Sequence, residues 1–408
     1  MEIPDRNLFQ SDMTIMTGMT PRDPMAGMAE ARTPRWRLMV LGVARLAHND
    51  QGGPSGAEAI ESSNWSMIHF GRPLGRGRVS LMMMNSLEPW TYEKLGSPEL
   101  FQTGESLRER PLVDRQHPHD FLMQASLAWQ RPITERFGIV LAGAPVGEAA
   151  LGPVAFMHRA SGAENPIAPL SHHTFDATHI TMGVVTAGLT YGPWMIESSV
   201  FQGREPDENR WDLMDPGALD SWSARLSFRA GGWHGQVSHG DIARPERLEN
   251  IDVRRTTGSI SWTRVSGEDF TSVSVIGGQN RREFSTLRAF LVEATDHRGR
   301  LSLYGRFEAV DVESEHLFFP LVVHIPHPGE LVDKVKVGTI GAVYDVLRVK
   351  GFTLGAGADI QFYGLTERLE DFYGRPRTTH LFFRLRTPLP RMGRMFDMTM
   401  TSHPHGGM

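Results

Sequence analysis

The 408-residue chain contains no cysteine. That absence excludes a disulfide framework, a thiolate-ligated zinc site, an iron–sulfur cluster and a thiol nucleophile. Long apolar runs are missing as well: no stretch reaches the roughly 18 to 20 consecutive apolar residues that a membrane-spanning helix needs. Basic charge is not in excess, with 42 Lys and Arg against 47 Asp and Glu and a pI near 6.4, which argues against a general nucleic-acid binder. There is no Walker loop and no GxGxxG following a strand. Ser171 beside His172 and Asp176 lacks the nucleophile-elbow pattern of a hydrolase triad. MEIPDRNLFQ has neither the basic start nor the apolar stretch of a secretory leader, so for an exported protein the signal peptide is expected to be absent from this numbering. A mean hydropathy of -0.29 speaks against a helical membrane protein. It leaves a membrane β-barrel open, because only alternate strand residues then face lipid.

What the sequence has instead is alternation. Phe352, Leu354, Ala356, Ala358, Ile360 and Phe362 share one side of an extended chain, and Thr353, Gly355, Gly357, Asp359, Gln361 and Tyr363 share the other. In the run from Arg300, Leu301, Leu303 and Phe307 oppose Ser302, Tyr304, Arg306 and Glu308. Trp222, Ala224, Leu226 and Phe228 likewise oppose Ser223, Arg225, Ser227 and Arg229. Sixteen strands are expected, at about 36–47, 59–72, 78–88, 120–131, 136–146, 178–191, 194–204, 219–230, 233–243, 254–265, 270–283, 287–297, 300–311, 335–349, 351–364 and 377–388. Short connections such as Gly192-Pro193 and Gly231-Gly232 alternate with long ones such as 89–119 and 147–177, the turn near Phe284 being an exception.

This is the layout of an all-β, antiparallel up-and-down transmembrane β-barrel of about 16 strands, with short periplasmic turns and long extracellular loops. Strands of roughly 9 to 11 residues suffice to cross the membrane. Arg225, Arg229, Arg300, Arg306, Glu308 and Asp359 are then expected to face a wet lumen. The division expected is a Met-rich segment over 1–34, the barrel over 35–389 and a Met/His-rich tail over 390–408. A soluble propeller or sandwich is the alternative, but no blade-length repeat of about 40 to 50 residues is found.

Methionine is the most unevenly spread residue: 11 of 21 fall in residues 1–28 and 392–408. Met13, Met16, Met19, Met25 and Met28 lie at one end. Met395, Met398 and Met400 lie at the other, with His403 and His405. Their spacing builds no apolar face. Thioethers in polar segments are soft, uncharged ligands suited to Cu(I) or Ag(I), and imidazoles also accept Cu(II). An even strand count puts both ends in the periplasm, where they could act together. The competing reading is a tail whose methionine content is incidental.

A second cluster sits in two long connections. DRQHPHD supplies Asp114, His117, His119 and Asp120, and residues 147–179 supply His158, His172, His173, Asp176 and His179. Closely spaced histidines flanked by carboxylates can bind a divalent metal. The reading favoured here is a compact loop packed by buried His–Asp hydrogen bonds and folded into the lumen as a constriction. The acidic run Glu205 to Asp212 reads as a solvated loop turn.

Several longer phrases occur together: NDQGGPSG (49–56), LFQTGES (100–106), LVDRQHPHD (112–120), GEAALGPVAFMHRASG (147–162), SHHTFDATHITMGVVTAG (171–188), FQGREPDENRWD (201–212) and LDSWSARLSF (219–228). With these the chain resembles, from about residue 9 to residue 388, an uncharacterised family of bacterial outer-membrane β-barrel proteins found alongside copper and heavy-metal resistance determinants. The resemblance implies an outer-membrane location and a role in copper or heavy-metal handling at the cell envelope. It carries no catalytic residues with it. The expectation is therefore a monomeric, non-enzymatic barrel in contact with outer-membrane lipid. It needs no resident cofactor, binds no nucleic acid, captures copper ions on its tails and meets periplasmic metal-handling proteins. The alternatives are a general solute porin, an outer-membrane enzyme with a loop-built metal site of His117, His119, His172 and His173, and a passive envelope protein with a plugged lumen.

Overall fold

A computed structural model describes residues 37–388, apart from 104, 109, 215–216 and 319–330, together with Met400 and Thr401. Sixteen long strands follow one another in sequence: β1 (Arg37–Gln51), β2 (Asn64–Leu74), β3 (Gly77–Asn85), β4 (Leu122–Pro132), β5 (Phe137–Gly147), β6 (Thr181–Tyr191), β7 (Trp194–Phe201), β8 (Ser221–Ala230), β9 (Trp233–Ile242), β10 (Val253–Ser266), β11 (Asp269–Arg281), β12 (Thr286–Arg298), β13 (Leu301–Glu313), β14 (Val332–Val349), β15 (Phe352–Gly364) and β16 (Arg377–Arg386). Each pairs antiparallel with its neighbours, and β16 returns to β1 through a register running from Val43 opposite Arg386 to Gln51 opposite Thr378. The sheet is therefore closed, and no long edge is left unpaired.

Alternation decides which residues face which way. On β13, Leu301, Leu303 and Phe307 are exposed on the outer wall, and Ser302, Tyr304, Arg306 and Glu308 are buried inside. Leu189, Ile196, Val237, Ile340 and Leu381 continue the outer apolar band. At its short-turn edge stands an aromatic girdle, in which Tyr191 is opposite Trp194, Trp194 opposite Phe228 and Trp233 opposite Trp262. An apolar band edged by aromatic side chains is the signature of a barrel wall in lipid. No helix is long and apolar enough to cross a membrane among the described residues. The short turns are built as such turns require. Between β8 and β9, Gly231 and Gly232 have φ of 56° and 87°, the left-handed pair of a two-residue hairpin loop whose twist suits the strands.

The expected strands are all present, with two local differences. The stretch expected at 59–72 is broken: a short strand, Glu58–Glu61, pairs with the far end of β1, and β2 begins at Asn64. The break is held by the Asn64 side chain, which donates to Ser62 O at 2.8 Å and accepts from Leu87 N at 2.6 Å. Such local bonds compete with the ladder. Arg300 does not line the lumen: it sits exposed in the turn between β12 and β13, and its guanidinium reaches Val346 O at 3.2 Å. Parity alone placed it on the inner wall, but the hairpin turns one residue before the strand begins.

The long connections carry small elements of their own. Helix α1 (Glu88–Thr91) follows β3, α2 (His172–Phe175) lies between β5 and β6, α3 (Ser314–Phe318) follows β13 and α4 (Glu367–Tyr373) follows β15. The connection 148–180 does not stand outside the barrel. It turns inward and packs against the inner wall, which positions the site.

Candidate functional site

The segment 148–180 is clamped to the wall by buried charges. At its start, Glu148 accepts from Arg225 on β8 at 3.0 Å, and the same guanidinium bonds Glu197 on β7 at 3.1 Å. Farther in, Arg159 donates to Glu293 on β12 and to Asp176 within the segment, both at 2.7 Å. Glu164 meets Arg384 and, at 2.8 Å, Arg386, both on β16. Arg45 on β1 donates to Ala163 O at 2.6 Å. Glu308 on β13 accepts from the Ser171 hydroxyl at 2.6 Å and its backbone N–H at 2.9 Å. The segment is thus tied to strands on several sides of the lumen. Burial opposes charge on Glu164, but Arg384 and Arg386 outweigh it and hold the carboxyl well below the usual range. Asp176 is held low in the same way, by His172 and Arg159. Removing one partner of such a pair strands a buried charge, at a cost of about 3 to 5 kcal/mol.

Three histidines gather around Phe156. His179 lies 5.6 Å from His119 and 5.1 Å from His172, between ring centres. Each ring is oriented through Nδ1: His119 to Glu88 at 2.7 Å, His172 to Asp176 at 2.6 Å, and His179 to Asp176 O at 2.8 Å. Burial disfavours the charged form of all three. It prevails at His172 and, with the neighbouring histidines, at His179, whereas Glu88 outweighs it at His119 and raises that pKa. His158, edge-on to Trp65 at 5.6 Å, is pushed down to about 4 by burial alone.

The other loop residues singled out by sequence have separate partners. Asp114 accepts from Phe101 N at 2.6 Å and the Tyr373 hydroxyl at 2.9 Å, and burial raises its pKa to about 6. Asp120 pairs with Arg210 at 3.1 Å. The His117 ring bonds Pro118 O at 2.9 Å. No three of the eight candidates bring ligand atoms within 4.8 Å of one another among the described residues. His173 instead converges with Glu205 and Glu246. A further group, Glu249, Glu313 and His316, is already crossed by Arg282, which bonds both glutamates. The four-histidine centre expected for an enzyme is therefore not assembled.

Of the lumen-facing set, Arg225, Arg306, Glu308 and Asp359 are buried inside the barrel and Arg229 is half-buried on the same side of β8 as Arg225. Met13, Met16, Met19, Met25, Met28, Met395, Met398, His403 and His405 lie outside the described residues. Met400 differs from the free-tail expectation. It is buried inside the barrel against Ala142, Ala144, Leu151 and Val184. Its N–H donates to Glu148 at 3.2 Å, and the next residue, Thr401, bonds Glu197 and Gln130. Sequence reasoning did not single out Glu293, Arg384 or Arg386. The signal existed for the arginines: His380, Arg384 and Arg386 share one face of β16, opposite Leu381, Phe383 and Leu385.

The architecture defines a class: a closed sixteen-strand outer-membrane barrel with a porin-like fold and an inward-folded loop. Solved structures agree on the fold. An anion-selective porin from Comamonas acidovorans superposes with a TM-score of 0.53 at 9% identity, covering 86% of this chain and 100% of that one. The Salmonella typhi OmpF complex with daunomycin gives 0.51 at 9% identity, covering 86% and 97%. No family profile matches the sequence, and no curated protein does.

Proposed function

We propose that the protein is a solute channel of the outer membrane whose pathway is narrowed by the segment 148–180. The observation that carries this reading is the clamp of Arg159 and Glu164 to Glu293, Arg384 and Arg386. A loop that merely covered the barrel would need no buried ion pairs to the far wall. The inner charges are largely neutralised by one another, which favours passage set by width over strong ion selectivity. Planar-bilayer recording tests it. The wild-type chain gives small, stable currents, and the double variant R159A/E164A gives larger ones. Currents unaffected by the double substitution would sink the reading.

The metal role implied by the family resemblance is a finer proposal on the same scaffold. Its support is the soft-ligand composition of the two chain ends, which would offer copper ions as cargo to the periplasmic side and to periplasmic metal-handling proteins. Titration of the full chain with Cu(I), beside a variant with Met13, Met16, Met19, Met395 and Met398 changed to Leu, tests it directly. Equal uptake by both would remove the proposal and leave a general porin.

A further inference from the structure

The outer wall is not electrically uniform. On β10 to β16, near the long-connection end, Arg254, Arg281, Arg288, Lys334, Lys336 and Arg377 are exposed and share the outward parity of the lipid-facing band. The strand registers bring them into one tract. Arg254 is directly opposite Arg281, Asp311 opposite Lys334, and Phe362 opposite Arg377. Below them along the strands come Phe290, Phe307 and Ile340, all exposed. The Arg377 guanidinium stands 5.9 Å over the Phe362 ring, at the boundary between charge and hydrocarbon.

Compensation within this tract is incomplete. Asp241 bonds Arg254 at 3.1 Å, and Asp311 pairs with Lys334. Arg281, Arg288, Lys336 and Arg377 make no ion pair among the described residues. Two arginines directly opposite each other on a sheet repel, and Asp241 reaches only one of them. A groove of about 760 Å³ opens beside that pair, lined by Arg244, Arg254, Arg281 and Arg282 and, on its other sides, by Asp220, Asp241, Asp252 and Glu283. The rest of the barrel lacks this pattern. β1 to β8 present no outward lysine or arginine toward the long-connection end. At the short-turn rim of β10 to β13, Arg298 is paired with Asp296 at 2.8 Å.

We propose that this face binds the phosphate groups of an anionic outer-leaflet lipid, with the acyl chains lying on the aromatic and aliphatic residues below. A phosphate between Arg254 and Arg281 relieves their repulsion, and charge-assisted bonds from arginine and lysine suit its oxygens. Each basic side chain near an anionic membrane surface adds to such attachment. The proposal rests on the barrel standing in the outer membrane with its long loops outward, so the experiment reads folding and lipid binding separately.

The full chain, folded in neutral detergent, is titrated with bisphosphorylated lipid A and with the same glycolipid after phosphate removal, and bound lipid is counted by native mass spectrometry. Heat-modifiable gel mobility reports barrel folding. The phosphorylated lipid is expected to bind, the dephosphorylated one to bind weakly, and the variant R281Q/R288Q/K336Q to lose affinity on the order of tenfold to a hundredfold while keeping its mobility shift. Equal binding of both lipids, or an unchanged affinity in the folded variant, overturns the proposal. So does displacement of the lipid by inorganic phosphate at equal concentration, which would mark a site for the free anion. If the triple variant does not fold, R377Q and the loss of wild-type binding on raising salt decide the matter.

Discussion

Arg159 donates through Nε to Glu293 at 2.7 Å, joining the inserted segment to the inner wall of β12. The same guanidinium bonds Asp176, so one side chain bridges two buried carboxylates. Arg159→Ala leaves both without it, and the segment is expected to detach locally at a cost of about 3 to 5 kcal/mol while the sixteen-strand ladder persists. Single-channel conductance should rise severalfold, and chymotrypsin should cut within 148–180 at sites such as Phe156 and Phe175. Unchanged conductance with a protected segment would contradict the clamp.

Acid should loosen the same segment. The His158 imidazole takes its proton at 6.5 when free but only at about 4 in the folded chain, because burial opposes its charge. Between those values the folded state binds fewer protons than the unfolded one. Stability is therefore intact above about pH 6.5 and falls as the pH drops through the window, with a full cost of roughly 3 kcal/mol below about pH 4. His172 and His179 shift in the same direction. Conductance recorded against pH should rise below 6.5 in the wild type, and His158→Phe, which keeps a ring against Trp65, should make that rise shallower. Identical profiles would remove His158 from the account.

The sequence shows the strands clearly and the site poorly, and one physical difference explains both. A strand announces itself locally: the period-2 pattern over Phe352 to Tyr363 is visible in twelve consecutive letters. The clamp is not local. Arg159 and Glu293 are 134 positions apart, and nothing in the stretch around either residue says that they meet. Parity could show that Glu293 points inward with Leu291 and Thr295. It could not show which loop residue lies across from it. Arg300 marks the limit of parity, since an alternating pattern continues through a turn that takes the residue off the wall. Met400 marks the limit of composition: a soft ligand in a tail-like stretch is held inside the barrel through its backbone and the neighbouring Thr401.

Met400 should accordingly resist oxidation. Its side chain is 3% exposed, and its sulfur lies so near Gly147 that an added Cβ there would come within 2.9 Å. Under mild peroxide, peptide mass spectrometry should find Met400 converted far more slowly in the folded barrel than after unfolding. Met400→Glu places a charge among alanines and valines beside Glu148, and should release Met400 and Thr401 from the inner wall. Conversion of Met400 at the same rate in both states would show that the residue is not buried.

The lipid-facing assignment predicts an asymmetry between neighbours on β14. Ile340 points outward and is 63% exposed, whereas Thr339, one residue earlier, is buried within the barrel. Ile340→Arg puts a guanidinium into hydrocarbon and should lower stability of the bilayer-inserted barrel by about 2 to 4 kcal/mol near the midplane. Ile340→Val changes only a methylene and should cost far less. Thr339→Ser keeps the hydroxyl on the inner side and should leave insertion unchanged. Reversible folding into vesicles, followed by tryptophan fluorescence across a denaturant series, measures all three. If Ile340→Arg folds as readily as Ile340→Val, this part of the wall does not face lipid.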